Sequence, residues 1–172
     1  LGRFCLSGKS LELLKAPIQV VLVEPKIPSN TGNIIRLCAN TGAKLHLVGP
    51  LGFLIDDAKM KRAGLDYHER CSFKVYDSWD TFLINNNPQN NKSFSITTRG
   101  KKSFFLNNVP KNSWLFFGSE TKGLSDSQRT FFNPQHHLRI PMYRDSRCLN
   151  LSNTVAICIY EIWRRHELKI AK

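Results

Sequence analysis

The chain has 172 residues and carries 25 Lys and Arg against 13 Asp and Glu, a formal charge of +12; that is long enough for one domain with its own hydrophobic core, and basic enough to concentrate polyanions around it. Cys5, Cys38, Cys71, Cys148 and Cys158 are odd in number and share no paired spacing, so free thiols in a reducing, cytoplasmic setting are expected rather than a disulfide framework. The longest apolar runs, residues 18–23 and 155–159, are too short to span a bilayer, which excludes a membrane helix.

Residues 1–17 hold Arg3, Lys9 and Lys15 around a weakly apolar stretch with no cleavage-type signal, and read as an extension or tail ahead of a single domain over 18–172. Residues 18–23 are apolar apart from Gln19 and mostly β-branched, as a strand covered on both faces should be. Ser29 or Asn30 is suited to cap a helix in which Ile34, Leu37 and Cys38 recur at helical spacing, with Gly42 placed to end it. A second strand follows at 44–48, then a turn at Gly49-Pro50 and a polar helical stretch around 56–63. Further strands are predicted at 72–76, 93–98 and 113–117, with a helix over 79–84 and an exposed Asn-rich loop over 85–91. The last element, 151–165, places Leu151, Val155, Cys158 or Ile159, and Ile162 on one face. Arg164, Arg165 and Lys169 near its end suit the helix dipole and RNA binding equally. Alternating strands and amphipathic helices give an α/β fold, a mostly parallel sheet with helices on both faces.

Several familiar chemistries are absent. Neither Gly8-Lys9-Ser10 nor the segment 118–123 has the two-glycine, Lys, Ser/Thr order of a phosphate loop, and Glu24-Pro25-Lys26-Ile27-Pro28 stands where a dinucleotide fingerprint would follow the first strand. His136-His137 has no nearby Cys or carboxylate to complete a metal set, so a structural or surface role is expected and no metal. Asp56-Asp57 reads as a helix start, and Ser119 lies outside any nucleophile-elbow pattern.

Three polar, Gly- or Asn-rich segments sit at strand or helix ends, where ligands of open α/β sheets gather: 28–36, 117–124 and 140–153. In the first, Asn30, Thr31, Gly32, Asn33 and Arg36 suit phosphate or ribose oxygens, or simple capping with one surface Arg. In the second, Gly118 and Gly123 permit close backbone approach and Glu120 is able to engage a cationic or hydroxylated ligand. The third offers more Asn and Ser than capping one helix requires.

Taken in order, these segments resemble the three motifs of the SPOUT superfamily of RNA methyltransferases. The wording is most like its tRNA (cytidine/uridine-34)-2′-O-methyltransferase branch: Glu24-Pro25, Ile27-Pro28, the run 30–42 from Asn30 to Gly42, Arg62-Ala63-Gly64-Leu65-Asp66-Tyr67-His68, the run 117–124, and Asp145-Ser146-Arg147 through Asn150-Leu151-Ser152-Asn153. The resemblance spans about residues 18–166 and implies a C-terminal trefoil knot, a homodimer with active sites near the subunit interface, and S-adenosylmethionine as methyl donor with S-adenosylhomocysteine as product. Carried over by motif, the cofactor contacts are Ile96, Thr97, Gly118, Glu120, Ile140, Cys148, Leu149 and Ser152. Cys148 stands where some relatives have Ser, which changes its side chain but not a main-chain contact. The implied catalytic set is Arg36, Asn150, Ser152 and Tyr160, although the spacing of Tyr160 also fits core packing. Expected RNA contacts are Asn30, Asn33, Arg36, Arg62, His68 and Arg144, with Lys59, Lys61, Lys101 and Lys102 as further phosphate ligands. The expected substrate is the wobble ribose of a tRNA anticodon stem-loop; ribose methylation of rRNA or another tRNA position, or a noncatalytic RNA-binding scaffold, are the alternatives.

Overall fold

The computed structural model describes residues 18–55 and 73–166. In chain order its elements are β1 (Gln19–Val23), α1 (Pro28–Thr41), β2 (Lys44–Val48), β3 (Phe73–Tyr76), α2 (Trp79–Asn86), β4 (Ser93–Ile96), β5 (Lys102–Ser103), β6 (Trp114–Phe117), α3 (Asp126–Arg129), β7 (His137–Arg139) and α4 (Leu151–His166), with short 3-10 turns between some of them. Among the described residues the sheet has the order β3-β2-β1-β6-β4-β7-β5, and every pairing is parallel.

β1 lies at the centre because each of its faces has a core to enter. Val20 and Leu22 join Ile34, Ile35, Val155 and Ile159 on the side covered by α1 and α4. Val21 and Val23 join Phe82, Phe116 and Phe132 on the other side. This explains the apolar run over 20–23: period-two alternation here separates two cores rather than core from water. The order reverses at β1, which pairs with β2 on one edge and β6 on the other, so the loops leaving the carboxyl ends diverge there and open a crevice.

The first helix starts earlier than its sequence suggests. Pro28 occupies the first turn and Ile27 is the N-cap, with no side-chain cap bond; Ser29 and Asn30 therefore lie inside the helix and are not its caps. Pro needs no helical N–H partner at this position, which favours the earlier start. Gly42 ends the helix in the left-handed conformation (φ 70°), as expected. α2 runs two residues past the expected end because Asn86 Nδ2 donates to Phe82 O (2.9 Å) and Asn87 takes the left-handed cap (φ 42°). β4 stops at Ile96 rather than Thr98, since Thr97 turns and its N–H donates to Leu138 O (2.9 Å). β5, β7 and α3 were not legible in the sequence: two to four residues carry too little periodicity.

Both Cys158 and Ile159 are buried on α4, with Val155, Ile162 and Trp163. Arg165 fastens the helix to the 3-10 turn that follows β5, donating to the carbonyls of Phe104, Phe105 and Asn107 and pairing with Glu161 at 2.7 Å. That commits Arg165 to the fold. Arg164 stays exposed and pairs with Glu161 at 2.8 Å; hydrogen bonds from Arg164, then Arg165, hold the Glu161 carboxyl down at about 2 against the opposing cost of its desolvation. Lys169 and the helical stretch expected at 56–63 lie outside the described residues. Cys38 and Cys158 are buried and Cys148 is exposed. Among the described residues, no helix is long and apolar enough to cross a membrane.

A polar group is enclosed in the second core. His46 on β2 is 4% exposed, with Nε2 2.9 Å from Gln19 Oε1 and Nδ1 3.0 Å from the Tyr76 hydroxyl. A neutral imidazole donates at Nε2 and accepts at Nδ1 from the Tyr76 hydroxyl, whose one proton is shared between Nδ1 and Asn86 Oδ1 (3.2 Å). Burial, then the charges of Lys74 and Lys44, lower its pKa from 6.5 to about 4. Because the folded value is depressed, this contribution to stability is fully present above pH 6.5 and is lost as pH falls from there through about 4. The shift corresponds to about 3 kcal/mol. Urea unfolding at pH 7.5 and 4.5 should therefore show a larger loss for the wild type than for His46→Asn; equal losses would remove His46 as the cause.

Candidate cofactor cavity and active site

Loops leaving the carboxyl ends of β4, β6 and β7, together with the start of α4, enclose a cavity of about 420 Å³, within the range of small-molecule sites. Ile96, Thr97, Thr98 and Arg99 form one wall, residues 117–124 a second, and Arg139, Ile140, Met142 and residues 148–151 a third. The three are distant in sequence. Parallel pairing brings them together, because β4 lies between β6 and β7 with Ile96 opposite both Phe117 and Leu138.

The second wall is a loop folded back on itself. Ser119 and Gly123 form an isolated antiparallel bridge, Gly123 N donates to Ser119 O (2.9 Å), and Lys122 N donates to Ser119 Oγ (3.2 Å). A Cβ on Gly118 would lie 2.2 Å from Gly123 C and Leu124 N. Only glycine lets the two strands of this loop touch.

A chain of hydrogen bonds ties the loops to α1. Glu120 Oε2 accepts from Lys26 N (2.8 Å), while Oε1 accepts from Ile27 N (3.3 Å) and Asn30 Nδ2 (3.0 Å). Asn30 Oδ1 accepts from Asn150 Nδ2 (2.8 Å). Asn150 Oδ1 in turn accepts from Ser152 N (2.8 Å) and Ser152 Oγ (2.7 Å), serving the first turn of α4. One polar path thus joins all three polar segments seen in the sequence, with each Asn using its amide nitrogen and oxygen in opposite directions. The bare N–H groups of residues 26 and 27, ahead of a helix with no side-chain cap, are satisfied by a carboxylate from across the cavity.

The structure redistributes the expected site residues. Ile96, Thr97, Gly118, Glu120, Ile140, Cys148 and Leu149 line the cavity, as do Asn30 and Asn150. Asn30, expected to face RNA, is 4% exposed with both ends of its amide occupied, so its side chain binds the site together. Glu120, half-buried, and Asn150, exposed, likewise spend their side chains on partners within the protein. Ser152 stands in the first turn of α4, at the cavity's edge rather than in its lining. Asn33 and Arg36 are exposed on α1, and neither lines the cavity. Tyr160 is half exposed on α4, with its ring 5.3 Å from Trp163, and is also outside the lining. Arg144 is exposed on the loop before α4. Arg62, His68, Lys59 and Lys61 fall outside the described residues.

Thr98, Arg99, Arg139, Met142 and Thr154 line the cavity without having been singled out. Arg139 ends β7, a strand too short to announce itself, and Arg99 follows the unexpected turn at Thr97. Arg129 also reaches the cavity but is engaged by Leu124 O (2.9 Å) and Asp126. The two histidines are spent structurally: His136 Nδ1 lies 3.0 Å from Ser93 O with its ring stacked on Phe94, and His137 Nδ1 lies 2.6 Å from Ser95 Oγ. Burial, then the Arg129 and His136 charges, lowers the His137 pKa. Among the described residues, no group of three His, Cys, Asp or Glu is placed to hold a metal.

Chemically, Ile96, Ile140, Met142 and Leu149 supply apolar walls, and the surrounding loops supply backbone donors and acceptors. That combination suits a flat heteroaromatic with polar extensions, such as the adenosine of S-adenosylmethionine.

Comparison with known proteins agrees with this geometry. A tRNA (cytidine(34)-2′-O)-methyltransferase of Burkholderia pseudomallei is 52% identical over 146 residues, covering 85% of this chain and 94% of its own. A solved structure described as giving insights into the 2-OH methylation of C/U34 on tRNA matches with a TM-score of 0.77 at 35% identity, covering 87% of this chain and 96% of its own. The SpoU methyltransferase AviRb from Streptomyces viridochromogenes in complex with AdoMet shares the fold, at a TM-score of 0.76 and 23% identity over 91% of this chain and 62% of its own. The SpoU rRNA Methylase family matches residues 17–160, and the chain belongs to that family.

Proposed function

We propose that the chain methylates the 2′-hydroxyl of nucleotide 34, cytidine or modified uridine, in the anticodon stem-loop of tRNA. The observation that carries this is the cavity walled by three separate segments and locked by the Glu120–Asn30–Asn150 path; the names of relatives such as the Burkholderia enzyme support the target. S-adenosylmethionine, when bound there, supplies the methyl group and leaves as S-adenosylhomocysteine.

The chain's own residues bind, orient and exclude water. Glu120 and Asn30 hold the loops in register. Asn150 keeps Ser152 at the amino end of α4, where the two side chains orient the acceptor ribose; as the oxygen–methyl bond forms and the methyl–sulfur bond breaks, the 2′-hydroxyl proton passes to water. Arg36 holds phosphate or ribose oxygens with the oriented N–H donors of its planar fork, a positioning role at the acceptor. Since Arg36 and Asn33 lie outside their own chain's cavity, the same reading has two copies pairing so that Arg36 serves the partner's site, with Tyr160 near that junction. It also has residues 140–153 closing a trefoil knot, and the enzyme working in the cytoplasm.

The test is transfer of labelled methyl from S-adenosylmethionine to unmodified bulk tRNA, followed by nuclease mapping. Label at the nucleotide 34 ribose is expected. Label at another tRNA position or in rRNA would redirect the target, and cofactor binding without transfer to any RNA would make the chain a scaffold.

A further inference from the structure

Residues 141–149 join β7 to α4 and contribute Met142, Cys148 and Leu149 to the cavity wall. Tyr143, next to Met142, is 92% exposed and makes no ring contact among the described residues. Its backbone is nevertheless held: Ser146 N (3.3 Å) and Ser146 Oγ (2.8 Å) both donate to Tyr143 O, and Asp145 closes the turn in the left-handed region at φ 66°. Arg144 follows it directly and Arg147 ends the same turn, both exposed and without an ion pair among the described residues. The turn therefore presents one solvated ring and two guanidinium groups, against a single acid, at the mouth of a cavity that also carries Arg99 and Arg139.

A nucleotide whose ribose enters that cavity has left its neighbours' stack and needs a new face for its base. An aromatic ring provides that face for any base, and flanking Arg side chains reach the adjoining phosphates. Exposed tyrosines also serve protein partners, but two unpaired cations beside the ring favour a polyanion. We propose that Tyr143 stacks on the base of the acceptor nucleotide while Arg144 and Arg147 hold the phosphates on either side, so that this turn positions the ribose for transfer. The inference rests on the chain being an RNA methyltransferase.

The experiment compares full-length wild type, Tyr143→Phe and Tyr143→Ala in methyl transfer to tRNA and in binding an anticodon stem-loop with fluorescent pyrrolocytidine at position 34, S-adenosylhomocysteine being present. Tyr143→Ala should raise KM for tRNA roughly ten- to a hundredfold, leave S-adenosylmethionine affinity within about twofold, and abolish the stacking quench; Tyr143→Phe should retain both KM and quench. Arg144→Ala and Arg147→Ala should each lower the slope of log affinity against log salt by about one. Equal KM and quench in all three proteins would overturn the proposal while leaving the enzyme reading intact. So would loss of cofactor affinity in Tyr143→Ala, since the turn would then shape the cavity instead. A wild type that transfers no methyl and binds no RNA would overturn the enzyme reading and this proposal together.

Discussion

Glu120→Ala should lower S-adenosylmethionine affinity and methyl transfer by about a hundredfold or more, with a stability cost of about 2–4 kcal/mol. The carboxylate receives Lys26 N, Ile27 N and Asn30 Nδ2 together. Its removal leaves two backbone donors and a buried amide to find water or collapse, and it frees the 118–124 loop from α1. Hydrogen bonds to a charged acceptor are worth about 1.5–3 kcal/mol each where well formed, but the contact with Ile27 is long and exposed, so the simple sum is too large. The effect should be shared with Asn30→Ala, because both variants break the same path: the double variant should cost less than the two singles added, by about 1 kcal/mol or more. Urea midpoints and equilibrium binding of S-adenosylmethionine measure both quantities. Additive losses, or an unchanged affinity in Glu120→Ala, would show that the path does not organise the cavity.

Arg36→Ala is expected to reduce methyl transfer at least about a hundredfold while leaving S-adenosylmethionine affinity within about twofold, the pattern of a lost positioning contact at the acceptor. The separation follows from geometry, since Arg36 is exposed on α1 and absent from its own chain's cavity lining. Arg36→Lys should recover little, because a point charge does not replace two oriented N–H donors. Mixing Arg36→Ala with a Glu120→Ala variant tests where Arg36 acts. If it serves the partner's site, heterodimers combine one intact Arg36 with one intact cavity and regain activity. No recovery on mixing, with heterodimers verified, would place Arg36 at its own chain's site, and full activity in Arg36→Ala would remove it from the mechanism.

Fold class, the central strand, the two long helices and the three segments that carry the site are all legible along the chain. The physical reason is that these are local properties: an apolar run with two buried faces, helical recurrence over 14 and 16 residues, and polar backbone breaks at element ends. Motif wording added the family, and with it the cavity residues, because their order along the chain survives independently of how they meet. The tertiary structure alone decided which side chains face the ligand and which hold the protein together. Asn30 reads as a free amide at a helix start, yet pairing of β1 with β6 brings Glu120 to one side of it, and the docking of α4 on α1 brings Asn150 to the other. Arg99 and Arg139 become neighbours of one cavity only through the pairing of β4 with the three-residue β7. Such contacts span 40 to 120 positions of chain; a hydrogen-bond partner is set by distance in space, and local pattern carries no record of it.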